Sequence, residues 1–160
     1  MSDVGVVPVR FPAMVSERYD VFGAAMVCAI SGVRRGARMG RVTHFEITAD
    51  DPDRAAAFYK KAFGWEFNDY GGPFKYLLAT TGKKDEVGID GAVMGRSDHK
   101  QAVINTIGVD KWETGAQAVK DAGGEVITAK DAVPGQGYFA YCRDTEGNVF
   151  GIFESDEKAK

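Results

Sequence analysis

His44 and Glu46 stand two residues apart in VTHFEITADDPDRAAAFYKKAFGWEF, residues 42–67, and Thr48 follows at the next alternate position. A neutral imidazole works as a base near pH 7, and a carboxylate beside it raises its pKa. Side chains alternate across a strand, so residues two apart share a face, with Cα atoms about 6–7 Å apart. His44 and Glu46 can therefore couple, directly or through water. Three roles are open to His44: a general base partnered by Glu46, a metal ligand, or a hydrogen-bonding pocket residue.

These side chains are positioned by a regular pattern that begins at Arg41. RVTHFEITA alternates, is rich in β-branched residues and reads as a strand. Asp50, Asp51 and Pro52 signal a helix start, and Gly64 its end. Ala55, Phe58, Tyr59 and Ala62 recur at helical spacing on one face. WEFNDY, FKYLLAT and VGIDGAVMGR read as three strands. The order then repeats: QAVINTIGV, a helix KWETGAQAVKDA after Asp110, then EVITAKDA, YFAYCRD and VFGIFE. An offset of 60 relates Asp50 to Asp110, Lys60 to Lys120, Gly64 to Gly124 and Gly91 to Gly151. Such a period marks duplicated structural units, and two half-sheets must pack together to cover their faces. The expected fold is α+β: two paired βαβββ modules, residues 39–98 and 99–155, forming a curved mixed sheet around a cleft. SDEKAK reads as a charged, frayed tail over 156–160.

Alternation assigns the cleft lining. Phe45 and Ile47 should face the first helix, leaving His44, Glu46 and Thr48 for the cleft. Their repeat counterparts are Ile104, Thr106 and Gly108. Ile89, Gly91 and Val93 form the matching set on the fourth strand, and Val149, Gly151 and Phe153 on the eighth. Strand-interior glycines such as Gly91 and Gly151 mark close approach of a ligand or another backbone. Tyr76 and Tyr138 follow the turns GGPF and GQG in matching places and read as pocket lining. Trp65 and Tyr141 read as core packing. A mixture of one polar strand, glycines and an apolar wall suits a small, partly apolar ligand.

Bulk properties narrow the partners. The chain has 160 residues, 44% hydrophobic and 27% charged, with a formal net charge of −3. No basic stripe offers a nucleic-acid surface. Cys28 and Cys142 form no CxxC pattern and read as buried small hydrophobes. The apolar run Val21–Ile30 is far shorter than the roughly 20 residues a membrane span needs, and no signal-peptide pattern stands out. A cytoplasmic protein is the expectation. Residues 1–38 read as an N-terminal extension, with Met39 as a candidate natural start.

HFEITADDPDRAAAFYKKAFGWEF and GYFAYCRDTEGNVFGIFE make residues 41–154 resemble the vicinal oxygen chelate superfamily, which includes glyoxalase I, bleomycin-resistance proteins and extradiol dioxygenases. More narrowly, the chain is similar to the lactoylglutathione-lyase-related branch. The resemblance implies a glyoxalase-like fold, a small-molecule ligand and a homodimer. Metal-dependent members carry ligands on the first, fourth, fifth and eighth strands. Here those positions fall at His44, Gly91, Ile104 and Gly151, so His44 alone offers a donor. A divalent catalyst needs about three protein ligands, so no cofactor is expected. Three functions stay open: a bleomycin-resistance-type binding protein with no chemistry, a metal-independent lyase or isomerase with His44 as general base, and a metal-dependent glyoxalase or dioxygenase with displaced ligands.

Overall fold

The computed structural model describes residues 40–72, 74–96 and 101–160. The candidate start at Met39, the extension, Cys28, His99 and the boundary between residues 98 and 99 lie outside them. The fold is α+β, with nine strands in one curled sheet and two helices among the described residues. The first module runs β1 (Arg41–Ala49), α1 (Pro52–Phe63), β2 (Glu66–Asp69), β3 (Tyr76–Thr80) and β4 (Gly91–Gly95). The second runs β5 (Val103–Val109), α2 (Trp112–Asp121), β6 (Glu125–Val126), β7 (Asp131–Val133), β8 (Gly137–Arg143) and β9 (Val149–Ser155). The segment expected as one strand, EVITAKDA, is divided into β6 and β7.

Strand order is β2-β3-β4-β1-β5-β9-β8-β6, with β7 also on β8. Within each module the first strand lies parallel to the last, β1 beside β4 and β5 beside β9. The modules join where β1 meets β5 antiparallel. Each module thus presents the same elements in mirrored order about that seam.

α1 starts as its sequence dictates. Asp51 accepts a bond from the Arg54 amide at 2.9 Å, Pro52 opens the first turn, and Gly64 closes the helix at φ 74°. Its buried face differs by one step from the expected stripe. Ala55, Ala56 and Tyr59 pack against Ala49, Leu77 and Val93, whereas Phe58 is 60% exposed. α2 starts at Trp112 with no cap from its own N-terminal residue. Glu154 on β9 takes that role, accepting from the Trp112 amide at 2.8 Å and Lys111 Nζ at 2.7 Å. The charged tail is not frayed: the Gly135 amide bonds the Ala159 carbonyl, the Asp156 amide bonds the Gln136 carbonyl, and Ala159 is buried. No helix among the described residues is long and apolar enough to cross a membrane.

Candidate functional site

The concave face gathers side chains from both modules. On β1, His44 and Glu46 are fully buried and Thr48 is nearly so. A register shift between Val42 and His44 sets His44 opposite Thr106 and Glu46 opposite Ile104. Without that bulge the earlier register would place His44 opposite Asn105. Bulges commonly re-aim side chains beside sites.

Tyr76 on β3 joins His44 to Glu46. Its hydroxyl lies 3.1 Å from His44 Nε2 and donates to Glu46 Oε1 at 3.0 Å. Tyr141 on β8 donates to Glu46 Oε2 at 2.9 Å. The coupling expected between His44 and Glu46 therefore runs through a phenol. Two polar atoms beside this network, His44 Nδ1 and Thr106 Oγ1, are buried without a hydrogen-bond partner among the described residues. Thr48 is spent locally, donating to the Gln101 carbonyl at 2.5 Å. Ile104, Met94, Phe139 and Phe153 supply the apolar wall.

Burial sets the titration of this network. It lowers His44 to about 4, with the Asp90 charge opposing in part. It raises Glu46 to about 7, with the bonds from Tyr141 and Tyr76 pulling back. It pushes the Tyr76 phenol well above its usual range, helped by the Glu46 charge. The expectation that a neighbouring carboxylate raises His44 is thus reversed, because desolvation outweighs the charges near it. Of the two, Glu46 is the stronger base.

Several expected pocket residues sit elsewhere. Gly91 faces α1: β1 and β4 pair Phe45 with Gly91 and Glu46 with Ala92, and paired residues point to one side. A Cβ on Gly91 would strike three atoms of the Phe45 ring, which lies against Trp65 on the helix side. Ala92 and Met94 face the concave side instead, and Val93 joins the α1 core. The cause is a slip in the repeat. Paired residues are 46 apart across β1 and β4 (Phe45 and Gly91) but 45 apart across β5 and β9 (Thr106 and Gly151). An offset of 60 between first strands becomes 59 between last strands, so the counterpart of Gly151 is Ala92. Gly151 does lie on the concave face, where a Cβ would come within 2.7 Å of Thr106 Oγ1 and 2.5 Å of the Phe139 ring. Neighbouring side chains, the Phe45 ring at Gly91 and Thr106 and the Phe139 ring at Gly151, take up the space a Cβ would need.

Tyr138 also faces the helix side. It pairs with Glu154, and Lys130 Nζ lies 4.1 Å from its ring centroid. Tyr141, read as packing, is the β8 tyrosine that reaches the site. Parity along YFAYCR carried that signal: Phe139 and Tyr141 share one face, and Tyr138 stands on the other. Ile104, Thr106, Gly151 and Phe153 are where alternation put them, and Tyr76 lines the concave face as its place after the turn GGPF suggested.

Residues 41–152 match the glyoxalase/bleomycin resistance protein/dioxygenase superfamily. The chain belongs to that superfamily. A glyoxylase-like domain-containing protein from Didymella fabae is 31% identical over 121 residues, 71% of this chain and 92% of that protein. Among solved structures, methylmalonyl-CoA epimerase in complex with methylmalonyl-CoA and NH4+ is similar with a TM-score of 0.55 at 15% identity, covering 77% of this chain and 99% of that one. The epimerase from Mycobacterium tuberculosis has a TM-score of 0.57 at 12% identity, covering 78% and 94%. A hypothetical protein from Bacillus halodurans C-125 has a TM-score of 0.57 at 19% identity, covering 77% and 99%. At these identities the solved structures establish the fold alone.

Against the glyoxalase-family metal positions, the donor set does not fit a divalent ion. Beside His44 stand Ile104, Gly151 and, on the corrected register, Ala92, none with a donor side chain. Glu46 could supply oxygens, but both accept tyrosine hydroxyls. Among the described residues, no three His, Cys, Asp or Glu side chains form a group able to hold a metal ion.

Proposed function

We propose that this glyoxalase-superfamily chain binds a small, partly apolar molecule against its concave face, without a divalent metal at the family's position. The observation that carries this reading is the pair of buried, unsatisfied polar atoms, His44 Nδ1 and Thr106 Oγ1, set into an apolar wall. Buried polar groups are rarely left unpaired, so such a pair suits a ligand or bound water. The tyrosine bonds that occupy Glu46 support the metal-free part of the reading. Protein purified without chelator should carry far less than one equivalent of zinc, nickel, manganese or iron; stoichiometric metal overturns it. In a thermal-shift screen of small carbonyl compounds and phenols, His44→Ala should lose the stabilisation that wild type gains.

A second reading, a metal-independent lyase or isomerase, is favoured by the raised pKa of Glu46, which suits proton transfer near neutral pH. It places the base at Glu46, with His44 acting through Tyr76. Turnover lost in Glu46→Gln with binding retained would separate this reading from simple sequestration. We also take the working unit to be a homodimer in the cytoplasm, and light scattering on the purified chain tests the dimer.

A further inference from the structure

We propose that His44, Tyr76 and Glu46 form a proton relay whose port is His44 Nδ1, whose store is Glu46, and whose ligand is a neutral O–H acid with an apolar body. The inference rests on the concave face being the binding face, as proposed above.

Hydrogen-bond polarity assigns the direction. An ionised carboxylate only accepts, and a phenol has one hydrogen to give. Tyr76 gives it to Glu46 Oε1 at 3.0 Å, so at 3.1 Å it must accept from His44 Nε2. A neutral imidazole carries one N–H, so Nδ1 is left as a bare lone pair. That lone pair is buried and unpartnered, and so is Thr106 Oγ1 on the residue directly opposite. One acceptor and one hydroxyl side by side match a ligand that offers a hydrogen and can receive one on the same oxygen. The Phe139 ring lies beside Thr106 at Gly151, and Ile104 and Phe153 continue the wall, which suits an apolar body.

Charge selects against an anion. Among the described residues, the titratable groups that shift those of the relay are Asp90 ahead of β4, Glu46 on β1, Tyr70 and Tyr76 around β3, and Tyr141 on β8, every one an acid. A carboxylate or phosphate ligand would add a second negative charge beside ionised Glu46, and burying an unpaired charge is costly, whereas an O–H acid enters neutral and leaves one negative charge in the site before and after transfer.

The transfer balances. The ligand O–H proton passes to His44 Nδ1, the Nε2 proton passes to the Tyr76 oxygen, and the Tyr76 hydroxyl proton passes to Glu46 Oε1. His44 and Tyr76 end neutral, Glu46 becomes a carboxylic acid, and the negative charge moves to the ligand oxygen, where the Thr106 hydroxyl donates to it. No imidazolium forms, so the low basicity of the buried His44 is no obstacle. Reversal with a second proton acceptor resets the relay. Tyr76 touches no ligand and acts as a positioning and relay residue.

Nitrogen NMR of the histidine rings tests the relay without any ligand. In wild type above neutral pH, His44 should be neutral with its hydrogen on Nε2, and Tyr76→Phe should lose that preference. The Nδ1–H form in wild type overturns the relay. Para-nitrophenol, whose absorbance reports its ionisation, tests the ligand. Wild type should bind it largely as the phenolate. Tyr76→Phe should bind it with the ionised fraction reduced about tenfold, the size of one lost charge-assisted bond. Glu66→Gln, which alters an exposed carboxylate on β2, should keep the ionisation. Equal ionisation in wild type and Tyr76→Phe overturns the relay. No binding of para-nitrophenol to wild type overturns the ligand class and the binding reading, whatever the tautomer.

Discussion

His44 and Glu46 titrate in opposition. Folded His44 stays neutral down to about 4 against an ordinary 6.5, so between those values the unfolded chain holds the extra proton. Its contribution to stability therefore rises with pH across that window. Folded Glu46 keeps its proton up to about 7 against an ordinary 4.5, so there the folded chain holds the extra proton and stability falls as pH rises. Each slope reaches at most about 1.4 kcal/mol per pH unit, and where the windows overlap the two cancel. The melting temperature of wild type should therefore change little through this pair between about pH 4.5 and 6.5. Glu46→Gln should unmask the rising His44 limb, and His44→Gln the falling Glu46 limb over roughly pH 4.5 to 7. Circular-dichroism melts across this range check both signs, and parallel profiles in the two variants would contradict the opposition.

Elements reach the site through contacts that no single element specifies. α2 is capped from β9 by buried Glu154, so Glu154→Ala removes a helix cap and leaves the Trp112 amide without it. A loss of about 1–3 kcal/mol in a urea titration is expected, against near-neutral effects for exposed carboxylates such as Glu66. On β4, Gly91→Ala would drive a methyl into the Phe45 ring and disturb its contact with Trp65, 5.7 Å between centroids. Overpacking of this kind costs about 1–3 kcal/mol. Because Gly91 faces α1, the variant should lose stability while its ligand affinity stays at the wild-type value. A selective loss of affinity would return Gly91 to the cleft.

The whole molecule shares one site between its halves. Glu46 and Tyr76 belong to the first module, Tyr141 and Thr106 to the second, and the β1–β5 seam holds them together. Neither module completes the hydrogen-bond network alone, so unfolding should be a single cooperative transition. The chain has two tryptophans, Trp65 in the first module and Trp112 in the second. Fluorescence from Trp65→Phe and Trp112→Phe variants should report midpoints that agree with those from circular dichroism; separated midpoints would mean that the modules unfold independently. The duplicated strand–helix–strand pattern, the α1 caps at Asp51 and Gly64, and the shared face of His44 and Glu46 were legible in the sequence, because periodicity and turn chemistry are local. The β4 side of the pocket was not, because its parity depends on a one-residue difference in pairing register that only the assembled sheet shows. The partnership of Glu46 with Tyr141 was likewise invisible, since it spans 95 residues and arises from sheet curvature. Sequence thus determined the family, the modules and which β1 residues face inward. Tertiary structure decided that burial makes Glu46, and not His44, the stronger base, because desolvation depends on what surrounds a group and not on its neighbours in the chain.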